Sequence, residues 1–183
     1  MSRTVRRLVA AFAVALVLAG GAALWLKSYV APREALDLSY EGIDVKRKLL
    51  DMAARLEPML ILTEEDVNNL IKMELSKQGD AADSRIRIDG ARFELQEGKL
   101  TAHLNVTYRN ALPIGAVAVF RLSWEPPNIV LAPESVKVRD IRLPAGLADT
   151  RIIELPSEGI VRIKDVDFDR DRIKIGFAIP NIF

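Results

Sequence analysis

The sequence predicts an α+β fold: an N-terminal transmembrane helix, then two helices packed on a strongly curved antiparallel β-sheet. Three observations carry that prediction. Residues 8–26, LVAAFAVALVLAGGAALWL, contain no charge. Residues 43–56 and 63–77 place apolar side chains at helical spacing. From Arg85 onward the apolar period falls to two.

The uncharged run comes first. As a helix its 19 residues span about 28 Å, close to the thickness of a bilayer's hydrocarbon core. Arg3, Arg6 and Arg7 precede it, which keeps the N-terminus cytoplasmic and sends the rest across. Trp25 and Tyr29 stand where interfacial aromatics belong. A cleaved signal peptide is the rival reading, with residues 9–18 as its apolar core and Ala19-Gly20-Gly21 as a small-residue site. The apolar run continues through Leu24, Trp25 and Leu26, where a polar stretch should follow cleavage, and this favours an uncleaved anchor. The expected organisation is a cytoplasmic stub and anchor over 1–29 and one extracytoplasmic domain over 30–183, on a cell membrane crossed once.

Charge supports the division. The chain has 26 basic and 25 acidic residues. Arg3, Arg6, Arg7 and Lys27 precede any acid, so residues 28–183 carry 22 basic against 25 acidic groups. A body with that balance is no general nucleic-acid binder. The absence of cysteine excludes disulfides, thiol nucleophiles and cysteine metal sites.

Within the domain, Val45, Leu49, Met52, Ala53 and Leu56 form one helical stripe, which Pro58 ends. MLIL, residues 59–62, reads as an extended piece. Thr63 with Asp66 three residues on is a capping-box start, and Glu64 and Glu65 suit the helix's positive end. Val67, Leu70, Ile71 and Leu75 are its buried stripe, and Gly79 its terminator. ARFELQEGKLTAHLNVTY reads as a hairpin turning at Glu97-Gly98. IGAVAVFRLSW is a strand, Pro126-Pro127 a break and NIVLA a short strand; VKVRDIRLP and residues 160–179 supply at least three more.

A pattern recurs in these strands. Ile86-Arg-Ile88-Asp-Gly90-Ala91-Arg-Phe93, Val136-Lys-Val138-Arg-Asp140-Ile141-Arg-Leu143 and Val161-Arg-Ile163-Lys-Asp165-Val166-Asp-Phe168 each alternate, insert one extra polar position, then alternate again. A bulge at Gly90, Asp140 and Asp165 would return the later apolar residues to the same face while bending the strand. The alternative is a strand that crosses there between packing layers.

The stretch PIGAVAVFRLSWEPPNIVLA, residues 113–132, is apolar at successive positions rather than alternate ones. A central strand between two layers explains that, and so does a sheet whose concave face closes over an apolar guest. The candidate lining is Val117, Val119, Phe120, Leu122, Trp124, Ile129 and Leu131, a largely apolar wall of the kind ligand pockets use.

Reactive chemistry is scarce. His103 is the only histidine and lies in a strand pattern, so it is expected to face solvent or a polar neighbour. There is no nucleophile elbow, phosphate-cradling loop or dinucleotide fingerprint. The run Asp165, Asp167, Asp169, Asp171 fails as a calcium loop, because Arg170 holds the glycine position and Gly176 the bidentate glutamate position. FDRDRI reads as a charged hairpin turn. No catalytic residue, cofactor or metal site is expected. Arg85, Arg87, Arg92, Lys137, Arg139, Arg142, Arg162 and Lys164 would form a basic stripe for anionic headgroups if the strands align them; a solvated face interleaved with acids is the favoured reading.

With the anchor, LTEEDVNNLIKMEL, the LPIGAV strand and the PESVKVRDIRLP segment in that order, the chain resembles the YpmS-like family of single-pass Gram-positive envelope proteins. A helix opened by Thr-Glu-Glu-Asp and followed by curved strands is also similar to one half of a tubular lipid-binding domain. These resemblances imply no site residues. The expected function is a membrane-anchored, non-enzymatic module that binds a lipid or other amphiphile on the apolar inner face of its sheet. The alternative is an assembly or scaffold subunit that recruits an envelope protein through a sheet edge or the anchor.

Overall fold

The structure, a computed structural model, describes residues 3–42, 48, 58–78, 85–154 and 162–178. Helix α1 (Arg3–Val30) opens the chain, and its segment Phe12–Val30 is apolar and almost wholly exposed. Phe12, Val17, Leu18 and Leu24 all face outward. An unburied apolar helix of this length is compatible with a membrane anchor or a signal sequence. It runs unbroken through Ala19-Gly20-Gly21, and Trp25 and Tyr29 stack near its end with ring centroids 5.2 Å apart.

Among the described residues nine strands follow: β1 (Met59–Thr63), β2 (Ile86–Gln96), β3 (Lys99–Tyr108), β4 (Leu112–Glu125), β5 (Asn128–Val138), β6 (Ile141–Leu143), β7 (Arg151–Glu154), β8 (Arg162–Phe168) and β9 (Arg172–Ala178). Helix α2 (Glu64–Gln78) lies between β1 and β2. The fold is α+β and every pairing is antiparallel. The strands form two ladders. One has the order β1-β9-β8; the other runs β2-β3-β4-β5-β6, with β7 also pairing β5.

The inner faces of both ladders share one core. Leu60, Ile173 and Ile175 come from the smaller sheet, and Phe93, Leu95, Leu100, Leu122, Ile129 and Leu131 from the larger, with Val67 of α2 joining them. Its middle is built of small side chains, Ala91, Ala102 and Ala118. Of the two helices expected on the sheet, the one over 43–56 lies, apart from Lys48, outside the described residues. Helix α2 meets the larger sheet along the edge of β2 rather than across its face. Asn68 Oδ1 accepts from Phe93 N–H at 3.0 Å and Glu64 Oε2 from Leu95 N–H at 2.8 Å. Its capping box forms as expected: Thr63 N–H donates to Asp66 Oδ2 at 2.8 Å, and Asp66 N–H to Thr63 Oγ1 at 3.2 Å.

The recurring pattern has two structural solutions. In β2 the register slips between Ile88 and Gly90, and in β8 between Ile163 and Asp165. Both slips are bulges. They leave Ile88 and Ala91 on one face, opposite Val106 and Leu104, and likewise Ile163 and Val166, opposite Phe177 and Ile175. The bulge expected at Asp140 is instead a two-residue hairpin turn, with Val138 paired to Ile141 and Arg139 at φ 56°. Both devices place two residues between successive inward apolar positions, so the pattern alone does not separate them.

NIVLA and the following VKV, expected as separate strands, are one: β5 runs through both. Its register against β4 slips so that Glu134 is the extra residue. Pro133 sits at that bulge, between the stretch paired to β7 (128–131) and the stretch paired to β6 (136–138). There its missing N–H costs no ladder bond. MLIL is β1, the turn at Glu97-Gly98 closes β2 on β3 with Gly98 at φ 67°, and FDRDRI is the β8–β9 turn.

Candidate functional site

The seven apolar candidates divide between the two faces of the larger sheet. Phe120, Leu122 and Trp124 share the inner face with Leu131, opposite Leu122, and Ile129, opposite Trp124. Leu122, Ile129 and Leu131 are buried in the core, while Phe120 and Trp124 are half-buried against it. Trp124 Nε1 is closed off from solvent without a hydrogen-bond partner among the described residues. Val117 and Val119 point to the outer face, paired with His103 and Thr101 of β3. The successive apolar positions in β4 thus reflect two covered faces, each with its own partner.

The outer face is covered in part by the chain that leaves α1. Residues 31–41 form a strap that crosses the sheet strand by strand. Gly90, Asn105 and Gly115 are register partners in one row across β2, β3 and β4, and the strap lies on that row. A Cβ on Gly115 would stand 2.9 Å from Pro32 Cα, and one on Gly90 would clash with Leu36 O. Asn105 Nδ2 donates to Glu34 O at 2.7 Å, and Ala91 N–H to Asp37 O at 3.1 Å. The strap then reaches α2, where Asn69 Oδ1 accepts from Glu41 N–H at 3.2 Å. At its other end, Arg139 Nε donates to Tyr29 O at 2.6 Å, and Tyr29 OH to Asp140 Oδ2 at 3.2 Å. The helix end is stapled to the β5–β6 turn. Sequence reasoning passed over this segment because its cues, two glycines and an asparagine on three strands, align only once the register is known.

Strap and helix also close the open edge of β2. Ala91, Phe93 and Leu95, at alternate positions, donate in turn to Asp37 O, Asn68 Oδ1 and Glu64 Oε2. Such bonds contribute on the order of 1 kcal/mol each and block strand addition at that edge. Glu64 and Asn68 sit one helical turn apart, which suits alternate N–H groups along a strand.

Two hollows stand out among the described residues. The first, about 410 Å³, lies between the start of α2 and β2, walled by Glu64, Glu65, Asn68 and residues 92–95. The second, about 290 Å³, runs beneath the strap beside His103, Val117 and the Arg139-Asp140 turn. Phe120 and Trp124 wall neither.

Three acidic groups on this framework, Glu134, Asp66 and Asp89, are held by basic partners. The Lys99 and Arg121 side chains hold the Glu134 carboxylate at the β5 bulge below its ordinary pKa, at 2.8 and 2.7 Å. Burial raises the Asp66 carboxyl, but Lys48 and the Thr63 N–H and hydroxyl outweigh it and hold the group below its usual value. Burial likewise opposes ionisation of Asp89 at the β2 bulge; the Thr107 hydroxyl and Arg87 guanidinium prevail. His103 Nε2 lies 3.5 Å from Glu94 Oε1. Among the described residues no group of three or more histidines, aspartates or glutamates is placed to hold a metal ion.

The expected basic stripe is only partly assembled. Register aligns Arg142, Lys137, Val117, His103 and Arg92 in one row across five strands of the outer face. Arg87 instead pairs with Asp89, and Lys164 with Asp165 on the other sheet. Comparison with protein-family models, with curated proteins and with solved structures finds no match for this chain.

Proposed function

We propose that this protein is a membrane-anchored, non-enzymatic module of the cell envelope that holds an amphiphile, its acyl part against the inner face at Phe120 and Trp124. The observation that carries the reading is the state of Trp124: a half-buried ring on an otherwise apolar wall, with an indole N–H that is enclosed and, among the described residues, unpaired. A buried donor without a partner costs about 1–3 kcal/mol, and an ester or hydroxyl oxygen of a seated amphiphile would relieve that cost. With the apolar α1 as its anchor in this reading, the domain would stand next to such a ligand's source. This reading keeps the resemblance to YpmS-like envelope proteins and to half of a tubular lipid-binding domain, and assigns the amphiphile-binding role to Phe120, Leu122, Trp124, Ile129 and Leu131. Native mass spectrometry of the full chain, after exchange into a delipidating detergent, tests it. One retained amphiphile per chain is expected, lost in Trp124→Ala; a bare chain in every preparation would refute it.

A second reading, recruitment of an envelope protein, is favoured by a different feature. Ile152 and Ile153 on β7 are 62% and 43% exposed, and Ile141 and Leu147 nearby in the chain are also outward. Exposed β-branched residues on a short strand suit strand addition by a partner. Crosslinking from Ile153 that recovers one protein in fixed ratio would select this reading over the first.

A further inference from the structure

We propose that the groove beneath the strap is a binding site for the phosphate of an anionic phospholipid, on the sheet face opposite the Trp124 wall. Its position comes from chain connectivity. The groove's wall includes Ala31, the residue after the last of α1, and Arg33. If α1 spans a bilayer, that wall lies at the level of the headgroups, a layer some 5–7 Å deep outside the hydrocarbon.

The charge balance favours an anion. Two acids border the groove, and both are engaged: Glu34 Oε2 with Arg92 at 3.2 Å, and Asp140 Oδ2 with the Tyr29 hydroxyl at 3.2 Å. The bases are freer. Arg33 lines the groove and forms no ion pair among the described residues. Arg139 uses Nε on Tyr29 O and lays its guanidinium 5.8 Å from the Tyr29 ring centre, with no carboxylate partner among the described residues. Lys137, exposed and also without an ion pair among the described residues, is the register partner of Val117 in the groove wall. Two arginines lining a hollow of about 290 Å³, with Lys137 on the neighbouring strand, fit a phosphodiester with its glycerol, and the volume is too small for a whole lipid. Guanidinium groups bind such oxygens through paired N–H donors. His103 completes the wall, and because it is the chain's only histidine its ring gives a single reporter signal at the site.

The test is a titration of the full chain in non-ionic detergent, followed by the His103 imidazole resonances. The probes are short-chain phosphatidylglycerol, short-chain phosphatidylcholine and inorganic phosphate. Phosphatidylglycerol should shift the signal saturably, and phosphatidylcholine, whose choline cancels the charge, should not. Arg33→Gln and Lys137→Gln should each weaken the response about fivefold. Both residues are exposed and have no ion pair among the described residues, so the unliganded His103 spectrum should be unchanged, confirming that the variants fold. Equal responses to the two lipids, or variants that bind as the parent does, would overturn the proposal. Inorganic phosphate reaching the same shift at the same concentration would reassign the groove to free phosphate and remove the lipid. Because the probes are added in solution, these outcomes do not depend on Trp124 holding a ligand.

Discussion

Gly115 of β4 lies directly under Pro32 of the strap, so close that a Cβ on the glycine would stand 2.9 Å from the proline Cα. The same row brings Gly90 under Leu36 and ties Asn105 to Glu34 O. The chain leaving the helix is therefore laid across three strands and fixed at both ends. The domain is thereby oriented relative to α1 by packing as well as by covalent linkage.

Gly90→Ala should break that arrangement. The new methyl would clash with Leu36 O, so the strap must lift. Overpacking of this kind costs about 1–3 kcal/mol. Thermal unfolding of the full chain in detergent should show the loss, and amide exchange at Ala91, whose N–H donates to Asp37 O, should accelerate. Unchanged stability with unchanged exchange would mean that the strap is not held at Gly90.

The two faces of β4 should respond differently to truncation. Leu122 is buried inward, whereas Val119 is half-buried outward. Leu122→Ala is expected to cost about 2–4 kcal/mol and Val119→Ala about 1 kcal/mol or less. Equal losses in a denaturation series would contradict the assignment of faces.

Acid should weaken the domain in a defined window. Asp66 and Glu134 are held below their ordinary values of 3.8 and 4.5, so the folded state binds fewer protons there than the unfolded chain. Their contribution is present in full above those ordinary values and is lost as pH falls through the lowered ones. Unfolding temperature should therefore drop below about pH 4. Asp66→Asn should flatten part of that slope, and a variant that keeps the parent's profile would show that the Lys48 and Thr63 contacts do not act on stability.

The absence of cysteine makes topology directly measurable. Asp149→Cys, on an exposed position, should react with a membrane-impermeant maleimide on intact cells, while Ser2→Cys should react only after permeabilisation. The reverse pattern would invert the proposed orientation.

Much of the framework was legible because it rests on local chemistry. Thr63 and Asp66 cap α2 through contacts three residues apart, Glu97-Gly98 supplies a turn conformation, and the bulges at Gly90 and Asp165 show as slips in alternation. What the sequence did not separate follows from register. The Val138-Arg-Asp-Ile141 spacing suits a bulge and a hairpin equally, and Pro133 masked the continuity of β5. The candidate lining mixed two faces because β4 is apolar on both, and no periodicity distinguishes a strand covered by a strap from one that lines a hollow. The strap groove stayed hidden for the same reason, since Arg33, Lys137, Arg139 and His103 come together only through the pairing of β3, β4 and β5 and the strap laid over it.

The most direct test of the central proposal is Trp124 fluorescence in a Trp25→Phe full chain, which leaves one indole. Titration with a fatty acid brominated along its chain should quench that emission saturably, at one equivalent per chain, with unlabelled fatty acid restoring it. Quenching that rises linearly without saturation, or emission that does not change, would show that the enclosed indole holds no amphiphile and that the inner face is closed by the protein's own side chains.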